Sequence, residues 1–324
     1  MLLYQDMRGS LLDSEWFAIS THLNECLVET IPYNTQRVLN CKLRWIGKTI
    51  YEIFRVEFAL GAQYVDAACK CSKIVLNDGP CAGSDILANG DIISHAWVAV
   101  EPCITVCPHL LPRIIQNDQY SGIIAAFKPH SLPTVPQGKF FRLNLTTLMK
   151  RALNTTNIHP VNRLDRAVSG LVLFSSRPVS EISVTRKRYI AEVIDAFPAE
   201  VSESAMRLRV EKHAINQVLR TVIDELHGAD SKTLFKKLSG NFVECQPITG
   251  RTHQIRVHLA SLGYPIKGDS TYHSLDHNQM QQPEKIHLFC LEYEVTLNRS
   301  EKLVFTVPRE CFPKWLPYEA VRNH

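Results

Sequence analysis

The sequence predicts an α+β fold, a mixed or antiparallel sheet preceded by a small α+β unit, and three observations lead to it. Short apolar runs bounded by turn residues recur through the second half of the chain, as buried strands do. Helical spacings fall between them irregularly, without the βαβ alternation of a doubly wound sheet. A short amphipathic helix and two turn-bounded strands form a separate group nearer the N-terminus, followed by a proline-rich stretch.

Residues 1–40 show no sustained period and are expected to be a poorly constrained extension. From Thr49 to Phe58, Ile50, Ile53, Phe54 and Phe58 recur at helical spacing after a Gly47-Lys48 break, which predicts one helix. Lys73-Ile-Val-Leu-Asn-Asp-Gly79 reads as a strand running into a tight turn, and Asn89-Gly90-Asp91 as a second turn before Ile92 and Ile93. Glu101 to Gln119, with prolines at 102, 108 and 112, reads as a connector, placing a boundary near residue 115. The expected organisation is thus an extension over 1–40, a small unit over 41–115 and a main domain over 116–324. In the main domain, Gly122 to Phe127 and Gly170 to Phe174 read as buried strands, and Arg188 to Ile194 as another.

Composition narrows the class. With 45% hydrophobic and 21% charged residues, the 324-residue chain resembles ordinary globular proteins and not disordered ones. Thirty-six basic against 32 acidic residues leave a mild excess that does not by itself indicate a nucleic-acid partner. Met1 to Phe17 includes Asp6, Arg8, Asp13 and Glu15 and lacks a secretory apolar core, and no later stretch approaches a membrane span. A soluble intracellular protein is expected, its compartment left open. Ten cysteines then read as reduced thiols. Cys69, Cys71, Cys103, Cys107 and His109 lack the spacing of a paired zinc signature, so no metal is expected.

Two segments carry chemistry. His159-Pro-Val-Asn-Arg-Leu-Asp-Arg-Ala-Val-Ser-Gly170 runs a charged cluster directly into a buried strand. In an extended run Arg163 and Asp165 share one face while Leu164 takes the other, and Gly170 permits close backbone approach. On charge pattern alone, a solvated Arg-Asp pair is the favoured reading. The second segment, Thr249-Gly-Arg-Thr-His-Gln-Ile-Arg-Val-His-Leu-Ala-Ser-Leu-Gly263, reads as a tight turn and then a helix with Ile255, Leu259 and Leu262 inward and Gly263 as its stop. His253 and Arg256 then share another face, one turn apart.

Together these segments resemble the RluA-type pseudouridine synthases, whose loop reads His-Arg-Leu-Asp and whose later helix reads Gly-Arg-x-His-Gln-Ile-Arg. The resemblance continues in Phe127-Lys-Pro-His-Ser-Leu-Pro133 with Gly138, in Lys187-Arg-Tyr-Ile-Ala191, and in Gly263-Tyr-Pro-Ile-Lys-Gly-Asp269 with Tyr272. It covers roughly residues 120 to 317. More loosely, Arg44-Trp-Ile-Gly-Lys-Thr49, the Tyr64 region, Lys73 to Asn77, Gly90 to His95 and Glu101-Pro102 resemble the eukaryotic branch acting on tRNA, in which this unit is an S4-like RNA-binding element.

The resemblance implies a cofactor-free isomerisation of uridine in RNA, most of all in a tRNA anticodon stem-loop, by a monomeric protein; ribosomal RNA is the alternative substrate. It casts Asp165 as the nucleophile, Arg256 as the cation that keeps it ionised, and Tyr189 as the residue that stacks on the uracil. Arg163 would help occupy the space left by a flipped base, with a phosphate contact as its alternative. Lys128, Lys187, Arg188, Arg251 and His253 are candidate RNA- or base-binding residues, and Lys232, Lys236 and Lys237 form a second basic run that is as readily a solvated face. Two positions depart from the pattern: Asn162 stands where the family has histidine, and Val168 where it has threonine. They keep open a second reading, a catalytically impaired RNA-binding or RNA-folding protein on the same scaffold. A carboxylate-pair glycosidase is disfavoured, since no second acid is evident.

Overall fold

The computed structural model describes residues 10–22, 25–212, 219–273, 285–297 and 301–322. Two compact units emerge: Ile31–Glu101, and a larger one of Met1–Thr30 with Pro102–His324.

In the smaller unit the strand Tyr33–Asn40 pairs antiparallel with Ile92–Ala99, which pairs in turn with Ile74–Leu76 and that with Gly79–Pro80. Asn77 and Asp78 both have left-handed backbones (φ 49° and 61°), the geometry of a two-residue turn whose twist suits a hairpin. The two turns lock each other. Asn77 accepts from the Ile92 N–H and donates to Asp91, whose other oxygen accepts from the Ala88 N–H. Thr49 and Glu52 form a reciprocal capping box at the start of the helix Ile50–Phe58, which with Ala62–Lys70 covers the sheet. Ile50, Ile53 and Phe54 are buried with Trp45, Val65, Ile74 and Ile93 in a core of the unit's own.

The larger unit is built on an 11-stranded sheet. Its path runs from Leu219–Ile223 through Glu203–Lys212, Ala229–Lys237, Phe242–Pro247, Ile182–Glu192, Leu288–Leu297, Ser169–Ser175 and Ile123–Lys128 to Arg113–Asp118. Neighbours along it are antiparallel except at one place, where Ser169 and Gly170 pair in parallel with Phe289 and Cys290. Gly170 is required there: its φ is +125°, and a Cβ would lie 2.2 Å from the Cys290 carbonyl oxygen. Ile123–Lys128 and Ser169–Ser175 are buried along their whole lengths, which is why they read as continuous apolar runs. The chain is α+β with a mixed sheet.

The boundaries differ from those the sequence implied. Residues 17–22 and 25–40 are not a poorly constrained extension: Phe17–His22 and Glu25–Thr30 form a three-stranded sheet with Ile104–Val106 in the larger unit, and Tyr33–Asn40 belongs to the smaller one. Cys26, Val28 and Thr30 are buried in alternation, as on a strand with one face to the core, although the run Cys-Leu-Val does not alternate in the sequence. The proline-rich connector likewise contains Ile104–Val106 and Arg113–Asp118, so the compact unit ends at Glu101, ahead of residue 115. Among the described residues no helix is long and apolar enough to cross a membrane.

Candidate active site

The loop that carries Asp165 is fixed from several sides. Asn162 donates to the Leu171 carbonyl and accepts from the Leu173 N–H, tying the loop to the adjacent strand. The Thr134 hydroxyl donates to the Leu164 carbonyl and accepts from the Leu164 N–H. Lys128 reaches the Arg166 carbonyl at 3.2 Å, and the Ile286 N–H donates to the Ala167 carbonyl. Backbone groups that a surface loop would leave to water are here spent on the protein.

Facing it is the helix Gln254–Ser261. Its preceding turn is held by the Gln254 amide, which accepts from the Thr249 hydroxyl and the Arg251 N–H and donates to the Lys232 carbonyl and the Thr233 hydroxyl. His253 caps the helix in a left-handed conformation (φ 54°) instead of lying within it, and Gly263 (φ 87°) follows its end. The expected stripe of inward residues is exceeded, since Val257 and His258 are buried as well as Ile255 and Leu259.

Between loop and helix opens a cavity of about 500 Å³, lined by Asp165, Arg163, Tyr189, Lys187, Arg251, His253 and Arg256 among others. Arg256 Nη1 donates to Asp165 Oδ2 at 3.2 Å, and His253 Nε2 lies 3.5 Å from the same oxygen. Burial pushes the Asp165 carboxyl up, but His253, Arg256 and Lys128 outweigh it and hold the group below the ordinary carboxylate range. A carboxylate ionised at neutral pH therefore faces the cavity with 29% of its side chain exposed.

Arg256 is oriented by a residue that the spacing did not reveal as part of the site. Its Nε and Nη2 donate to the two oxygens of Asp269 at 2.7 and 2.8 Å, and both side chains are almost fully buried. The bidentate face of the guanidinium is thus directed at Asp269, leaving Nη1 alone for Asp165. Tyr272 completes the surroundings: its ring centroid is 5.0 Å from the Arg256 guanidinium carbon, and its hydroxyl is 2.7 Å from His253 Nδ1. Asp269 and Tyr272 lie in a matching motif, but nothing in their spacing from Arg256 announces a contact across the fold.

Tyr189 lines the cavity with its hydroxyl 2.7 Å from that of Tyr293, and burial keeps its phenol protonated well above the ordinary range. Lys187 donates to the Thr249 carbonyl at 3.1 Å, and burial lowers its pKa. Arg251 is exposed and donates to the Asp230 carbonyl; Arg163 is exposed at the rim, with no ion pair among the described residues.

Two assignments need correction. Lys128 has no accessible surface, and its ammonium is spent on the carbonyls of Pro129, Leu132 and Arg166, so it supports the loop from beneath and cannot touch RNA. Burial pushes its pKa down to about 7, against the pull of Asp165. Arg188 is buried in an ion pair with Glu244 at 2.7 Å on the strand Ile182–Glu192, away from the cavity lining. Alternation along that strand turns Tyr189 one way and Arg188 the other. Among the described residues no group of His, Cys, Asp and Glu is arranged to hold a metal.

With this geometry in view, comparison with known proteins is decisive. Residues 122–261 match the RNA pseudouridylate synthase family, and that stretch holds Asp165, Tyr189, His253 and Arg256. The chain carries an RluA-type pseudouridine synthase domain. It is similar to the mitochondrial tRNA pseudouridine(32) synthase of Saccharomyces cerevisiae (31% identical over 74% of this chain and 54% of that protein). It is likewise similar to the pseudouridylate synthase RPUSD2 of Mus musculus (31% identical over 82% of this chain and 49% of that protein). The tRNA pseudouridine(31) synthase of S. cerevisiae is 28% identical over 78% of this chain and 74% of its own. The chain thus spans about half the length of the first two of these relatives. Among solved structures, human RNA pseudouridylate synthase domain containing 4 aligns with a TM-score of 0.46 at 22% identity, over 61% of this chain and 89% of that one. In the synthase domain, the departures at Asn162 and Val168 are both accommodated: the Asn162 amide is spent on strand backbone, and Val168 is buried.

Proposed function

We propose that the chain isomerises uridine to pseudouridine in RNA, with Asp165 as its catalytic carboxylate. The observation that carries this reading is the ionised Asp165, held by Arg256 at the wall of a cavity that Tyr189 also lines. The cavity falls within the roughly 300–1,000 Å³ of small-molecule sites, enough for one extruded nucleoside. The reaction breaks the bond from ribose C1′ to uracil N1 and joins C1′ to C5. N1 gains a proton and C5 loses one, so no cofactor or redox partner enters. Asp165 supplies the nucleophile or countercharge for this exchange, Arg256 keeps it ionised and oriented, and Tyr189 offers a ring face to the uracil.

The substrate we infer is tRNA, at a uridine of the anticodon stem-loop. Two yeast relatives are named for tRNA positions 31 and 32, which supports this choice over ribosomal RNA. Arg163, Arg251 and Lys187, at the rim and wall of the cavity, are the proposed contacts to the flipped nucleotide and its phosphates. The unit Ile31–Glu101 is read as an S4-like RNA-binding element, with exposed Lys48, Arg55, Lys70 and Lys73 available to phosphates. The protein is taken to act as an intracellular monomer. Because Asn162 and Val168 serve the scaffold, they give no support to an inactive paralogue.

The test is direct. Purified protein incubated with unmodified tRNA transcripts should convert uridine, read by pseudouridine-specific chemical mapping, and Asp165→Ala should abolish conversion while binding RNA with unchanged affinity. Equal conversion by wild type and variant overturns the proposal. Tight binding with no conversion by either promotes the RNA-binding reading.

A further inference from the structure

Two side-chain nitrogens converge on one oxygen of Asp165. Arg256 Nη1 and His253 Nε2 both approach Oδ2, whereas Oδ1 accepts no hydrogen bond among the described residues. What His253 offers depends on which ring nitrogen carries the proton, and its other neighbour decides that. The Tyr272 hydroxyl accepts from the Thr221 N–H at 2.8 Å and lies 2.7 Å from His253 Nδ1.

If Nδ1 carried the proton, Nε2 would turn its lone pair on Oδ2 of the ionised, acceptor-only Asp165 carboxylate. If the phenol donates to Nδ1, every group is satisfied, and the imidazole proton sits on Nε2, aimed at Asp165. Burial pushes the Tyr272 phenol up to about 12, so its proton is present across the working range. The left-handed backbone at His253, uncommon outside glycine, belongs to the same arrangement, in which the ring lies between phenol and carboxylate. The 3.5 Å separation from Asp165 is long for a hydrogen bond, as catalytic contacts often are before substrate tightens them.

We propose that Tyr272, anchored by Thr221, is a positioning residue that holds His253 as its Nε2–H tautomer, so that His253 and Arg256 together fix Oδ2 of Asp165 and present Oδ1 to the substrate. This rests on the reading of Asp165 as the catalytic carboxylate. It redefines His253, expected to bind the base, as a residue acting through the carboxylate. Thr221 also donates from its hydroxyl to the Thr252 carbonyl, so the edge strand Leu219–Ile223 ties down both Tyr272 and the residue before His253. The charged and titratable groups facing this pair are Arg256 and Asp269 beside His253, and Lys128 beneath Asp165.

The experiment is a double-mutant cycle in single-turnover conversion of tRNA, with RNA affinity and thermal melting measured for each variant. Tyr272→Phe keeps the ring over Arg256 and removes only the hydroxyl. It should lower the rate by roughly tenfold, with the RNA Kd within about twofold, and should move the acid limb of the pH–rate profile to higher pH. His253→Gln places an amide N–H near Nε2 with no tautomer to choose, so adding Tyr272→Phe to it should cost less than about twofold. An unchanged rate in Tyr272→Phe overturns the proposal, as does the same loss in both backgrounds, which would mark a packing role. Asp165→Ala in the same assay keeps the two claims apart. A wild type that converts no uridine defeats the activity and this proposal together, while an active wild type indifferent to Tyr272 defeats the proposal alone.

Discussion

Arg256 serves two carboxylates with one guanidinium, and lysine cannot replace that geometry. An ammonium can meet Asp165 or Asp269 well but not make two parallel bonds to one and a third to the other. Arg256→Lys should therefore lower the single-turnover rate at least ~100-fold and cost about 3 kcal/mol in urea unfolding, because Asp269 is left buried and half-paired. Lys128→Met should behave differently from a lost RNA contact. It leaves three carbonyls, two of them in buried contacts, without their ammonium donor, so stability should fall by about 3 kcal/mol in urea unfolding, and the rate with it, while RNA affinity holds. Loss of affinity with stability unchanged would return Lys128 to the RNA-binding set.

The parallel junction, as an element, depends on Gly170. Gly170→Ala adds a carbon that collides with the Cys290 backbone and demands a left-handed conformation, so it should cost more than about 3 kcal/mol, seen as lost soluble yield or a lowered urea midpoint. At this scale much was readable in advance. The apolar runs Ile123 to Phe127 and Leu171 to Phe174 mark two buried strands, and the helix from Ile50 starts at a capping box, because both signals are local. Partners distant in sequence were not readable. Asp269 meets Arg256, and Glu244 meets Arg188, only once the chain has folded, so Arg188, which read as an RNA contact, proved to be held in an internal ion pair. The same limit hid Lys128, whose ammonium also meets the carbonyl of Arg166, 38 residues further on.

Across the whole molecule, acid should weaken the fold before it reaches the carboxylates. His130 and His258 are buried, and burial pushes each down to about 4 from the ordinary 6.5. The unfolded chain therefore binds more protons between those values, and stability rises with pH across that window. Unfolding free energy should be lower at pH 5 than at pH 7 by about 2 kcal/mol for each histidine, and His258→Gln should flatten the profile in urea melts. A profile level between pH 5 and 7 would contradict their neutral burial. The sheet has a history as well as a chemistry. One group of its strands lies within 113–175 and the other within 182–306, and the Ser169–Phe289 pairing that joins them closes a loop of 120 residues. Contacts so distant in sequence form late, because chain closure must precede their reward. The loop bearing Asp165 hangs on that seam, so in a refolding experiment each half should recover its hydrogen-exchange protection before the first uridine is turned over.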